Sequence, residues 1–157
     1  MSLKSKNGKL LSRSGHLCTT CCLPDYLTII YEWDFPQPDL DTGTTFLGNT
    51  VGWACGGAAS YIYWLSGDNT TYGPEVVEVM VRDAHTDGAW VSSVEIQCAA
   101  AWYTFAGGSG PARLRVTFNG VSSVLSISPG NQAGCVNHLV GIITVHDDWT
   151  FNLVASP

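Results

Sequence analysis

Residues 112–128, ARLRVTFNGVSSVLSIS, decide the fold class of this chain. In the first half of the stretch, apolar residues alternate with arginine or threonine, which is the pattern of a β-strand with one buried face. Asn119 and Gly120 separate this run from a second alternating run, and both residue types tolerate the positive φ of a tight hairpin turn. The stretch therefore predicts an antiparallel β-hairpin.

The sequence on either side of the hairpin has the same character. Further segments rich in β-branched and aromatic residues are separated by Gly, Pro, Asn and Asp. These segments are 26–33, 44–55, 60–65, 74–83, 91–105, 138–145 and 149–154. No window shows sustained helical periodicity, so about nine strands predict an all-β chain, an antiparallel, jelly-roll-like β-sandwich with at most one short helical turn.

The length and the charge distribution predict two regions. A chain of 157 residues fits one domain, which we place at 23–157, preceded by a short extended arm at 1–22. Up to residue 16 the arm carries four basic residues and no acid, whereas three arginines oppose thirteen acids in the rest of the chain. A body this acidic repels phosphate backbones, so nucleic acid is not an expected partner for it.

The opening residues also bear on where the chain is made. MSLKSKNGKLLSRSGH (1–16) has none of the continuous apolar sequence that a secretory signal requires, so we expect cytoplasmic synthesis. The longest apolar run, LVGIITV at 139–145, is too short to span a bilayer, and no membrane partner is expected. The six cysteines of such a chain are expected to stay mostly reduced.

A cysteine cluster at the end of the arm suggests a zinc site. His16, Cys18, Cys21 and Cys22 offer four donors, and Cys18 and Cys21 have the spacing of one half of a structural zinc site. No second Cys-x-x-Cys follows, so a disulfide or intersubunit role and reduced thiols packed beside the domain remain alternatives, the last being favoured. Cys98 lies inside a predicted strand and is interpreted as a small core residue.

An acidic loop, DFPQPDLDTG at 34–43, suggests calcium binding. Asp34, Asp39 and Asp41 could supply carboxylate ligands at an edge of the sandwich. The later ligands of an EF-hand loop and its flanking helices are missing. The alternative is that these aspartates accept hydrogen bonds from backbone N–H groups in a proline-rich turn.

Nothing in the sequence indicates catalysis. The GGSGP stretch at 107–111 has proline where a nucleophile elbow needs its second glycine, and the histidines are scattered. No catalytic residue and no cofactor is therefore assigned. Six tryptophans and six tyrosines could form a sugar-stacking platform, although such residues also fill sandwich cores and oligomer interfaces.

Two parts of the chain resemble a known group of proteins. GKLLSRSGHLCTTCC at 8–22, together with DLDTGTTFLG, GPEVVEV and AAAWYTFAGGSGPARLRVTF in the body, is similar to short proteins of the tail and structural regions of bacteriophages and prophages. The resemblance implies a non-catalytic, virion-associated subunit, whose partners would be its own copies and other virion components.

In that interpretation the arm is the attachment segment. Leu10, Leu11 and Leu17 would bury against a neighbour, with strand addition to an exposed sheet edge and a homo-oligomeric assembly as the result. The alternative function is a carbohydrate-binding module that recognises a glycan through aromatic side chains, with calcium as a possible aid.

Overall fold

The chain folds into two β-sheets. A computed structural model describes residues 26–34, 39–71, 73–103, 110–132, 135 and 138–156. The strands are β1 (Leu27–Glu32), β2 (Leu40–Phe46), β3 (Asn49–Gly52), β4 (Ala58–Ala59), β5 (Ile62–Trp64), β6 (Glu75–Val79), β7 (Ser93–Tyr103), β8 (Ala112–Phe118), β9 (Val121–Ile127), β10 (Gly130–Gln132), β11 (Leu139–His146) and β12 (Phe151–Ala155), and helix α1 (Val81–Thr86) lies between β6 and β7.

The two sheets have different strand orders. The first runs β4-β5-β6-β1-β8-β9, and the second runs β12-β11-β7-β2-β3, with β10 also paired to β7. Neighbours are antiparallel except for β10 and β7, which are parallel. The sheets pack against each other, so the prediction of an all-β antiparallel sandwich is confirmed.

The core lies between the sheets and follows the alternation of the sequence. In the first sheet Leu27, Ile29 and Leu114 are fully buried, and in the second sheet Ile96 and Ile143 are fully buried. Their sequence neighbours on the same strands are mostly half-buried or exposed. Each such side chain contributes about 1.5–3 kcal/mol through burial, so the alternating pattern stabilises the packed pair of sheets.

The predicted hairpin is present. β8 and β9 pair from Ala112 opposite Ile127 to Phe118 opposite Val121. Asn119 and Gly120 form the connection with φ values of 53° and 76°. Positive φ at both central residues gives a turn whose twist matches that of the flanking strands, so the register of the outer half of the first sheet is fixed locally.

The segment 74–83, interpreted from the sequence as one strand, is a strand followed by a helix. β6 ends at Val79, and α1 begins at Val81 and buries Val81 and Ala84. The backbone N–H of Met80 donates to the carbonyl of Tyr61 at 2.7 Å, and Trp90 Nε1 donates to the carbonyl of Val81 at 3.0 Å. The single-strand prediction was wrong here because Val81 continues the apolar alternation of Val77 and Val79, so the pattern does not show where the strand ends and the helix begins.

Two cysteines form a disulfide. Cys55, in the connection after β3, is bonded to Cys135, which is 80 residues later. The expectation of reduced thiols is therefore wrong for this pair, whereas Cys98 is a free, buried thiol in β7, as expected of a core residue. No helix of the described ranges is long and apolar enough to cross a membrane.

Candidate functional site

Three carboxylates meet beside strand β2. Asp39 immediately precedes β2, Asp41 lies within it, and Asp68 belongs to the loop between β5 and β6. One carboxylate oxygen from each residue lies within 4.8 Å of the other two. Asp39 and Asp41 are 7% and 0% exposed, while Asp68 is exposed. The cluster therefore has two buried members and one member on the solvent side.

The position of Asp39 and Asp41 follows from the pairing of β2. Asp41 lies opposite Ala101 of β7, and the N–H of Tyr103 donates to the carbonyl of Asp39 at 3.3 Å. On its other side β2 pairs with β3 only from Gly43 onward. Next to this ladder the carbonyl of Thr42 accepts a hydrogen bond from the N–H of Trp53 at 3.1 Å, so among the described strands residues 40 and 41 are without a ladder partner on that side.

The β5–β6 loop is held to strand β6 by hydrogen bonds. The N–H of Leu65 donates to the carbonyl of Val76 at 2.8 Å, and the N–H of Val76 donates to Ser66 Oγ at 3.0 Å. Next to Asp68, the N–H of Asn69 donates to Glu75 Oε1 at 3.2 Å. These bonds fix both ends of the short segment that carries Asp68 towards β2.

The two buried aspartates have carboxylate oxygens without hydrogen-bond donors. Both carboxylate oxygens of Asp41, and Oδ1 of Asp39, are buried without a partner. Burial raises the pKa of Asp41 to about 7, and the charges of Asp39 and Asp68 act in the same direction. The pKa of Asp39 is also raised, by burial first and by Asp68 second. The cluster therefore brings several carboxyl groups close together, and three of their buried oxygens receive no hydrogen bond that would stabilise a negative charge.

A fourth carboxyl group lies close to the cluster and is better satisfied. Glu75 of β6 is fully buried and accepts hydrogen bonds from Thr42 Oγ1 and from the N–H of Asn69. Burial raises the pKa of Glu75 to about 8, and the nearby charges of Asp68 and Asp41 act in the same direction. Glu75 and Thr42 join the two sheets through polar groups.

The polar contacts continue into the core through a tyrosine. The Tyr31 hydroxyl shares a hydrogen bond of 2.7 Å with Thr44 Oγ1 and donates to the carbonyl of Gly43 at 3.2 Å. Burial raises the pKa of Tyr31 and raises that of the neighbouring Cys98 thiol to about 12. A raised pKa favours the protonated thiol over the reactive thiolate at neutral pH.

Asp34, which the sequence grouped with Asp39 and Asp41, has a different partner. Its Oδ2 and Oδ1 accept hydrogen bonds from Arg113 Nη1 and Nη2 at 2.9 and 2.8 Å, and this guanidinium lowers the pKa of Asp34. Asp34 is absent from the group of three within the described part of the chain, where Asp68 takes its place. The sequence around Asp68 predicts only a turn. No pattern in the sequence shows that this turn lies next to β2.

The other predicted site residues lie outside the described residues. They are the zinc candidates His16, Cys18, Cys21 and Cys22 and the partner-binding candidates Leu10, Leu11 and Leu17, all within 1–25. Their roles stay predictions.

Two histidines of the sandwich, His85 and His146, are engaged in packing or hydrogen bonds. The His85 ring packs edge-on against Trp90 and Trp149, with ring centroids 4.6 and 5.3 Å away, and its Nε2 is 3.1 Å from the carbonyl oxygen of Val91. Asn152 Nδ2 is within 3.1 Å of Nε2 of His146. Neither ring is paired with a hydroxyl or thiol nucleophile among these contacts.

An open cleft that the sequence did not predict lies next to α1. Its volume is about 530 Å³, and its lining includes Tyr61, Tyr63, Met80, Asp83 and Asp87. The Tyr61 hydroxyl donates to Asp87 Oδ2 at 2.7 Å, and Tyr63 is 40% exposed. An exposed aromatic ring beside carboxylates is a combination that can stack on and hydrogen-bond to a sugar.

Comparisons with protein-family models, with curated proteins and with solved structures found no match to this chain.

Proposed function

We propose that this chain is a non-catalytic structural subunit of a phage or prophage tail-region assembly and acts through protein–protein packing. Its arm, residues 1–22, would attach to the sandwich of a second copy. The resemblance of the arm and the body to phage structural-region proteins supports the class of assembly. The observation that carries the packing mechanism is a pair of uncharged outer strands on one side of the sandwich.

The outer strands β9 and β12 end the two sheets and contact each other. Their sequences, VSSVLSI and FNLVA, contain no charged residue and no proline. Natural edge strands are usually protected by charges, prolines or bulges, because an unprotected edge pairs with another chain. Val121, Val124 and Val154 on these strands are 60%, 49% and 51% exposed. These features are more typical of strands that pair with a strand of another chain than of strands that stay exposed to solvent.

Charge complementarity favours the arm of a second copy as the occupant. The arm has four basic residues and no acidic residue, whereas the rest of the chain has three arginines and thirteen acidic residues and thus a net charge of −10. Attraction between opposite charges brings arm and body together, and burial of Leu10, Leu11 and Leu17 would then supply the hydrophobic contribution. The Cys55–Cys135 disulfide fits a subunit of a particle that is released into an oxidising environment.

The oligomeric state of edge variants tests the proposal. Val124→Lys and Val154→Lys should shift the full-length protein from oligomer to monomer in sedimentation velocity, because a lysine on an edge strand opposes pairing with a cationic arm. Val91→Lys is the matched control, since Val91 is 76% exposed and lies outside β9 and β12. A wild-type monomer at high micromolar concentration, or oligomers unaffected by either edge lysine, would contradict the proposal.

The cleft beside α1 favours carbohydrate binding as the second candidate function. Tyr61 and Tyr63 supply aromatic rings, and Asp83 and Asp87 supply acceptors for sugar hydroxyls. Specific binding of the wild-type protein on a glycan array, with loss in Tyr63→Ala and no change in Val91→Lys, would favour this alternative over packing alone.

A further inference from the structure

Asp41 is a buried carboxylate without compensation from the protein. The side chain is 0% exposed, and neither Oδ1 nor Oδ2 has a hydrogen-bond partner. The same is true of Oδ1 of Asp39, which is 7% exposed. A carboxylate in such a place is strongly disfavoured unless it is neutralised or coordinates a metal ion. Both buried side chains have an oxygen directed into the cluster that Asp68 completes.

No cationic side chain of the described residues balances this charge. Arg113 is paired with Asp34 and Glu32, and Arg115 is paired with Glu32. The Arg82 guanidinium lies over the Trp149 ring at 4.5 Å and donates to Asn119 at 2.6 Å. The arginines of the described residues are thus engaged with other groups, and a bound cation would supply the missing countercharge.

We propose that Asp39, Asp41 and Asp68 form a calcium-binding site that joins strand β2 of the second sheet to the β5–β6 loop of the first. Calcium takes oxygen ligands at about 2.3–2.6 Å, so two ligands on opposite sides of the ion lie roughly 5 Å apart. The three carboxylate oxygens, all within 4.8 Å of one another, fit around one ion of this size. The exposed Asp68 provides access from solvent.

The ligand chemistry distinguishes calcium from other common metals. The group contains only carboxylates, whereas structural zinc sites use thiolate and imidazole. Magnesium demands a near-ideal octahedron and keeps several of its waters, while calcium accepts irregular geometry and more protein ligands. Here the ligands come from a strand, the residue before it and a distant loop, and such an arrangement gives the irregular coordination geometry that calcium accepts. This inference does not depend on the proposed packing function.

Metal binding to the full-length protein tests the inference. After removal of metal with a chelator, titration with CaCl₂ in a calorimeter should show one ion per chain. Saturating calcium should also raise the melting temperature by several degrees, because a ligand that binds only the folded state stabilises it. MgCl₂ at equal concentration should bind at least tenfold more weakly.

Two ligand variants and one control locate the site. Asp68→Asn should weaken calcium binding at least tenfold, and Asp41→Asn should abolish it, while Asp147→Asn, at an exposed aspartate outside the group, should bind as the wild type does. Asp41→Asn removes a buried charge, so this variant is expected to fold without calcium. Absence of calcium binding at millimolar concentration, equal magnesium affinity, or wild-type affinity in Asp68→Asn would overturn the inference.

Discussion

Glu75 is a single buried carboxyl group that links the two sheets. Its burial also makes the stability of the folded protein depend on pH. Its two oxygens accept hydrogen bonds from Thr42 and Asn69, so the group is satisfied although it is fully buried. Burial nevertheless favours the neutral form and raises the pKa of Glu75 from 4.5 to about 8. Asp68 and Asp41 add to this effect, so deprotonation of Glu75 inside the sandwich is unfavourable.

The raised pKa of Glu75 predicts a protein that is less stable in weak base than in weak acid. The folded state holds this proton more tightly than the unfolded state, so its stabilisation is complete below about pH 4.5 and is lost as the pH rises through about 8. Each pKa unit corresponds to about 1.4 kcal/mol, so the loss amounts to a few kcal/mol. Urea unfolding between pH 5 and 8.5 in the presence of a chelator measures it.

The matched variants separate Glu75 from the other acids. Glu75→Gln should flatten the fall in stability, because an amide keeps the shape and carries no charge at any of these pH values. Glu78→Gln, in the same strand but only half-buried, should keep the wild-type slope. An unchanged slope in Glu75→Gln would show that another group controls the pH dependence, and Asp41, with a pKa of about 7, would be the next to test.

At the scale of elements, the β8–β9 hairpin was predictable because its determinants are local. Alternation fixes which face of each strand is buried, and the Asn119–Gly120 dipeptide supplies a turn with positive φ. Helix α1 was not predictable as such, because Val81 continues the apolar alternation of β6. The contacts that accompany the helix, such as the hydrogen bond from Trp90 Nε1 to the carbonyl of Val81, come from residues outside the pattern. Local patterns thus determine the hairpin, whereas tertiary contacts determine the helix.

The same distinction applies to the acidic cluster. Asp39 and Asp41 are two residues apart on one extended segment, so their proximity followed from the sequence. Asp34 is also close in sequence, but Arg113, 79 residues away, binds it instead. Asp68 joins the cluster through a loop whose path depends on the hydrogen bonds that Ser66 and Asn69 make to strand β6. No spacing rule relates that loop to β2.

The hairpin turn predicts a position-specific penalty for losing a glycine. Gly120→Ala should destabilise the protein by about 1–2 kcal/mol, because its φ of 76° is unfavourable for a residue with a Cβ. Gly57→Ala is the control and should cost much less, since Gly57 has no positive φ and a Cβ there would meet no atom within 4 Å. Chemical denaturation of both variants measures the difference, and equal costs would contradict the turn geometry.

At the scale of the whole molecule, the Cys55–Cys135 disulfide closes a large part of the chain. The bond spans 80 residues, including β4 to β10, so it restricts the unfolded chain over more than half of the sandwich. Sequence spacing could not select this pair, because Cys55, Cys98 and Cys135 are all isolated in the sequence. Burial of Cys98 inside β7 leaves Cys55 and Cys135 as the pair that meets.

Removal of this disulfide is expected to destabilise the protein without changing its fold. For a loop of this length, chain entropy gives a contribution of about 4.5 kcal/mol, and measured losses are typically about 2–4 kcal/mol. The Cys55→Ser/Cys135→Ser double variant should therefore unfold at lower urea concentration while keeping a β-sheet circular dichroism spectrum. Added reductant should lower the stability of the wild-type protein to that of the variant and leave the variant unchanged. Equal stability of the oxidised wild type and the variant would show that this bond does not constrain the unfolded chain.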